Sequence, residues 1–146
     1  MFATSFGFSQ TCNAELAVEK NRNSKSVSEK GAIYKMVLTN NSSRAESFSI
    51  KTTHLKTSCA NKHFKQSVPN ANLDLVVLAT DRLSEVPSKI ALEPGQSYKF
   101  SIKVSSNKTT PINSWGCIEV NAIADSCKAS AASTVLKSYV PDPEAN

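Results

Sequence analysis

The residue types best suited to chemistry fall in one short stretch, HLKTSCANKHF, which holds His54, Cys59 and His63. Two imidazoles and a thiol are donors that zinc accepts, and Cys117 or Asp74 would have to supply the fourth ligand of a tetrahedron. The spacing H-x4-C-x3-H matches no strong zinc signature, however, and a loop cysteine held in a disulfide accounts for the same residues in an oxidising compartment. Cys59 as a nucleophile with His54 or His63 as its base is a weaker reading. Such a base is oriented by a third group, and no family signature surrounds this cysteine. Serine hydrolysis lacks a G-x-S-x-G elbow. Asp74, Asp81, Glu85 and Glu119 are read as separate outer or loop charges, not as a pair facing across a cleft, as glycoside hydrolysis needs. With four glycines in the chain, no phosphate-cradling loop is present. These residues predict no catalytic site, no cofactor and no enzyme, with His54 and His63 left as weak metal candidates.

Trp115, in PINSWGC, is a candidate ligand contact: an exposed indole stacks on a sugar ring, although Trp more often buries most of its area. Tyr34, Phe48, Tyr98 and Phe100 sit at positions that read as core. Asn40, Asn41 and Asn107 open glycosylation sequons, which matter only in a eukaryotic secretory pathway.

The elements that must position these residues follow from size and pattern. The chain has 146 residues, 40% hydrophobic and 20% charged, with a net charge of +5. That describes a single globular domain. No apolar run approaches the ~18 residues of a membrane span. Lysines are scattered along the chain, with Lys99 and Lys103 at alternating, outward strand positions, so a solvated surface is favoured over nucleic-acid binding.

Periodicity is two almost throughout. Tyr34, Met36 and Leu38 alternate with Lys35, Val37 and Thr39 before the turn residues NNSS. Phe48 and Ile50 alternate with Ser49 and Lys51. Leu73, Leu75 and Val77 share a face, as do Tyr98, Phe100, Ile102 and Val104 after a Pro94-Gly95 turn. Ile118, Val120, Ala122 and Ala124 oppose Cys117, Glu119 and Asn121. With AELAVEK in front and ASTVLKSYV behind, this predicts about seven strands of an all-β sandwich. LATDRLSEV reads as a short helical turn, and residues 57–72 as a long loop or broken edge strand. Pro141 and Pro143 end the last strand, leaving residues 141–146 as a tail.

The first residues, MFATSFGFSQTC, read as the rear of a secretory signal without its basic front. FSQ resembles the end of signal peptides of some Gram-negative bacteria. Residues 1–11 are therefore expected to be a signal-peptide remnant, with the true start upstream and the mature chain beginning between Gln10 and Cys12. The expected location is secreted, periplasmic or cell-surface. Four cysteines, Cys12, Cys59, Cys117 and Cys127, form an even set without C-x-x-C, which favours two disulfides.

The strings YKMVLTNNSSRAESFSI, IALEPGQSYKFSIKV, EVNAIAD and STVLKSYV resemble bacterial secreted immunoglobulin-like or fibronectin-like domains, the non-catalytic modules of surface proteins and glycosidases. The likeness runs from Leu16 to Val140. It implies an immunoglobulin-like β-sandwich over residues 12–140 that binds or adheres to a protein or carbohydrate at the cell surface. The alternatives are a structural subunit of an envelope secretion or adhesion assembly, and a small metal-binding or hydrolytic protein. With the strand order of such a sandwich, a strand from Cys117 to Ala124 spans ~25 Å. Cys117 and Cys127 then lie at opposite ends, and the expected pairs are Cys59–Cys117 and Cys12–Cys127.

Overall fold

The computed structural model describes residues 12–55, 71, 73–80 and 84–142. Through them run nine strands: β1 (Ala14–Val18), β2 (Ser24–Ser26), β3 (Ala32–Asn40), β4 (Glu46–His54), β5 (Asp74–Ala79), β6 (Ile90–Leu92), β7 (Ser97–Ser105), β8 (Ser114–Ala124) and β9 (Ala129–Val140). One sheet is ordered β1-β3-β7-β5 and the other β2-β9-β8-β4-β6. The pairing of β2 with β9 is parallel. Taking β1, β3, β7 and β5 as A, B, E and D, and β4, β8 and β9 as C, F and G, these are the two sheets of an immunoglobulin-like sandwich.

The count is nine rather than about seven because two three-residue strands carry no periodic signal of their own. After Val18 the chain leaves the first sheet through Lys20 and Asn21, both left-handed at φ 58 and 55. It re-enters beside β9 as β2, so a single leading strand becomes two in different sheets. β6 adds a short edge to β4, with Ser47 opposite Ala91.

The alternation read along the chain becomes the core. Tyr34, Met36 and Leu38 stand opposite Ile102, Phe100 and Tyr98 across β3 and β7. They pack toward Phe48, Ile118, Val120, Ala122, Ala124 and Leu136 of the second sheet, all within 1% of full burial. Each large aliphatic or aromatic side chain so buried contributes ~1.5–3 kcal/mol before chain entropy is charged against it. Tyr34 carries the fully buried phenol of this layer. Its Oη lies 2.9 Å from both the Lys137 carbonyl and Ser138 Oγ, tying β3 to β9 across the sandwich. Burial pushes its pKa above the ordinary 10.0, against the opposing pull of Ser138 and the Lys25 backbone.

Two glycines are demanded by the geometry. Gly95 has φ +80 at the third position of the Glu93–Gln96 turn, closed by Gln96 N–H to Glu93 O at 3.0 Å. This is the type II position that glycine takes without strain. At Gly116 a Cβ would stand 2.5 Å from Leu73 Cδ1 and 3.0 Å from the Ala71 carbonyl, so a bare backbone is what lets Leu73 close that end of the core.

One end of the sandwich is densely cross-linked. Asn40 Nδ2 donates to the Arg44 and Leu92 carbonyls at 2.9 and 3.0 Å. Its Oδ1 accepts from Ser42 N–H at 3.0 Å and Ser42 Oγ at 2.6 Å. Its own carbonyl receives Gly95 N–H at 2.7 Å. The NNSS turn and the Pro-Gly turn are thereby one unit. Beside it, buried Glu46 accepts from the N–H and hydroxyl of Ser126, and Cys12 is bonded to Cys127 with Cα atoms 6.3 Å apart, inside the usual disulfide range.

Candidate functional site

Among the described residues, those singled out for chemistry form no metal-binding or catalytic group. Cys12 and Cys127 sit at the cross-linked end, whereas Cys117, Trp115 and His54 lie at the opposite end, where His54 pairs with Ile118. Cys117 is also disulfide-bonded. Cys59 and His63 fall outside the described residues, as do Asp81 and most of the 57–72 segment. His54 is exposed on the last residue of β4. Among the described residues no group of three His, Cys, Asp or Glu side chains could hold a metal ion. Asp74 and Glu85 are exposed and Glu119 half-buried, each on a different strand or loop. Ala79 N–H bonds the Ser84 carbonyl and Leu78 bridges Glu85 in antiparallel fashion, so the described residues of LATDRLSEV pair as extended chain and do not form the expected helical turn; residues 81–83 lie outside the described set.

Trp115 was a sugar platform only on condition of exposure. It is 7% exposed, with its ring centroid 5.1 Å from that of Tyr139 on the neighbouring strand. A buried, tilted pair of this kind is packing, and no sugar ring can reach the indole face without displacing its cover.

What the fold does build is a cleft of about 580 Å3 at the end opposite the Cys12–Cys127 bond. Three connections wall it: Val27–Lys30 between β2 and β3, Ser106–Ile112 between β7 and β8, and the exit of β9 at Val140–Pro141. Its floor is apolar, with Val27 and Val140 buried at 1% and 5%. Ile112 stands over that floor 49% exposed, one of two large aliphatic side chains left so open among the described residues. Lys30 and Lys108 rise on the rim with Glu29. A volume of this size, apolar within and polar at the lip, is the usual form of a ligand pocket.

The walls are held by backbone hydrogen bonds rather than by side-chain chance. Val27 N–H reaches the Tyr139 carbonyl at 2.8 Å, Ser106 N–H the Ser28 carbonyl at 3.0 Å, and Asn113 N–H the Val140 carbonyl at 2.6 Å. Asn113 is left-handed at φ 58 and accepts from Tyr139 Oη at 2.7 Å, which fixes the direction in which Ile112 points. The sequon at Asn107 works as a loop lock: Asn107 Oδ1 accepts from Thr109 N–H at 2.9 Å, from Thr109 Oγ1 and from Thr110 Oγ1. The alternation of strands could not reveal this site, because every wall is a connection. The usable signal was Ile112 itself, an aliphatic side chain between Pro111 and Asn113 with no strand to bury it.

Comparison with known proteins follows this geometry. No protein-family model matches the sequence, and no curated protein matches it either. Among solved structures, the ASH or PapD-like domain of human CEP192 aligns at 10% identity and a TM-score of 0.48, over 94% of this chain and 89% of that one. The E. coli chaperone DraB aligns at 15% identity and a TM-score of 0.44, over 92% of this chain and 57% of the chaperone. A family 123 glycoside hydrolase from Clostridium perfringens aligns at 9% identity and a TM-score of 0.50, over 89% of this chain and 27% of the enzyme. At such identities the likeness is one of fold, and the fold is the immunoglobulin-like β-sandwich.

Proposed function

We propose that the protein is a non-catalytic binding module working outside the cytoplasm, and that it takes an apolar segment of a partner protein in the cleft bounded by Val27, Ile112 and Val140. The cleft is the observation that carries this reading. Its floor offers apolar area, its walls are fixed before any ligand arrives, and preformed loops on a rigid sandwich spare the ordering cost that weakens floppy sites. Lys30 and Lys108 on the rim favour a segment with an acidic residue beside its apolar ones. A protein segment fits better than a glycan, since no aromatic side chain lines the pocket among the described residues and sugar recognition leans on aromatic faces. The disulfide Cys12–Cys127 supports an oxidising location, because such bonds persist outside the reducing cytosol.

Selection of displayed peptides on the immobilised protein, followed by titration calorimetry, tests the proposal. Enriched peptides should bind the native protein and lose at least tenfold in affinity against Ile112→Asp. Their amide-shift footprint by NMR should fall on residues 27–30 and 106–112. Equal binding by the variant, or a footprint on another face, sinks the assignment.

A further inference from the structure

The outward face of the four-stranded sheet gathers charge that is dispersed along the chain. Lys103 on β7 stands between Ile33 on β3 and Val76 on β5, and Lys99 stands beside Val37. Lys35 faces Ser101, which in turn faces Leu78. Lys35 is therefore diagonal to both Lys99 and Lys103, ~7–8 Å from each at the backbone. All three are exposed, and Val76 on β5, beside Lys103, is 48% exposed. The carboxylates lie at the margins of the face: Glu15 and Asp74 at opposite corners, and exposed Glu85 at the β5 edge, where it bridges Leu78. The single ion pair among the described residues, Lys89–Asp125, is at the cross-linked end.

The charge continues past the sheet edge. Where β1 has ended, Ile33 and Lys35 open on a notch of about 140 Å3 that also takes in Lys20, Arg22 and Lys25, with Glu19 as its one carboxylate. Cations gathered without counter-charges repel one another, and an anionic partner relieves that repulsion. Ser101 lies beneath the three sheet lysines at 5% exposure, and no described residue engages its hydroxyl, which leaves a donor for a phosphate oxygen.

We propose that this face docks on an anionic lipid bilayer. The chemistry of the face selects among polyanions. It presents no exposed aromatic ring among the described residues, so neither a base nor a sugar has a stacking platform. It does present Ile33, Val37, Val76 and Leu78 interleaved with lysines, the combination that seats a surface at the headgroup boundary. Four strands give a face roughly 15 Å by 30 Å, planar enough to lie along a membrane. The cleft lies at one end of the sandwich and this face along its side, so both can be occupied together.

Vesicle flotation of the intact protein tests the docking. The probes are vesicles of phosphatidylcholine alone and vesicles one-third phosphatidylglycerol. Each lysine near an anionic surface is worth about a fivefold gain in binding. Binding is expected to the anionic vesicles only, and to weaken as salt is raised. Lys35→Glu/Lys103→Glu should lose more than about twentyfold by the same reckoning. Lys51→Glu/Lys128→Glu, an equal charge change on other surfaces, should lose far less. Val76→Asp should also weaken binding, and Lys35→Gln/Lys103→Gln repeats the test if charge reversal impairs folding. Failure to float with anionic vesicles overturns the proposal, as does equal loss from both lysine pairs. So does heparin or duplex DNA bound as tightly as vesicles with Val76→Asp without effect, which would make the face a general polyanion site.

Discussion

Asn40 is the residue whose removal the structure prices most clearly. Asn40→Ala deletes the four side-chain hydrogen bonds that join the β3–β4 turn to Leu92. Not all partners are orphaned. Ser42 Oγ keeps the Arg44 carbonyl, 2.8 Å away. The Leu92 carbonyl and Ser42 N–H lose the amide in a buried setting, at ~1–3 kcal/mol each. The space left by the side chain adds to that, for about 3–5 kcal/mol in all. For a chain of this size each kcal/mol lowers the melting temperature by ~2–4 °C, so a fall of roughly 6–20 °C is expected. Asn40→Asp should be worse at neutral pH, because it sets a carboxylate oxygen against the Leu92 and Arg44 carbonyls. That carboxylate's folded pKa is raised by burial and by those carbonyls. Its penalty is therefore absent below the unfolded value of ~3.9 and grows as pH rises through the folded one, so the two variants should converge in acid. Urea titration followed by Trp115 fluorescence reads global unfolding, since the single tryptophan lies at the other end. A melting temperature for Asn40→Ala within a degree or two of the native protein would refute the reasoning.

The other expectations rest on the same structure. Tyr34→Phe should cost ~1–2 kcal/mol at neutral pH by freeing the Lys137 carbonyl and Ser138 Oγ. Because the native phenol has its pKa raised above 10.0, the native protein loses stability as pH climbs past that value, and the variant should lose less in alkaline melts. Gly116→Ala should destabilise by ~1–3 kcal/mol as its methyl drives Leu73 out of place, measurable by urea midpoint; a neutral result would mean Leu73 repacks freely. Cys12→Ser/Cys127→Ser opens a crosslink spanning 115 positions, and the loop-entropy model puts the loss at ~4–5 kcal/mol by denaturant titration. His54→Ala should shift stability by no more than ~0.5 kcal/mol, as an exposed strand end allows.

How much was legible in the sequence depended on whether the cause was local. Strands β3, β7 and β8 were readable because their inner faces alternate without a break, from Tyr34 to Leu38, Tyr98 to Val104 and Ile118 to Ala124. The Leu92–Ser97 turn was readable because proline and glycine have one favoured order in it. β2 was not, since Ser24–Ser26 has no apolar alternation and owes its place to pairing with β9. Whether Trp115 was a surface stayed open, because exposure belongs to the tertiary fold, not to its neighbours in sequence. The cleft was invisible for a related reason. Val27, Ile112 and Val140 lie far apart along the chain, and only the closing of three connections at one end brings them together. The lysine face is intermediate: alternation placed Lys99 and Lys103 outward, but only the register of β3 against β7 sets Lys35 between them.

The unequal treatment of the two ends bears on what the molecule can do. At one end, Asn40, Glu46 and the Cys12–Cys127 bond are engaged with other parts of the same chain. Substitution there should cost stability and leave little surface for a partner. At the other end the backbone is equally well bonded, yet Ile112 and the rim lysines are directed outward and the lysines pair with no carboxylate among the described residues. A sandwich needs one firmly closed end to hold its sheets in register, and it can then present open connections at the far end without loss of order. This division yields a direct contrast. Asn40→Ala should lower the melting temperature while the remaining folded protein keeps its peptide affinity, whereas Ile112→Asp should leave melting almost unchanged and abolish binding. Measured side by side, loss of both properties in either variant would show that the two ends are coupled and that the cleft is not an independent site.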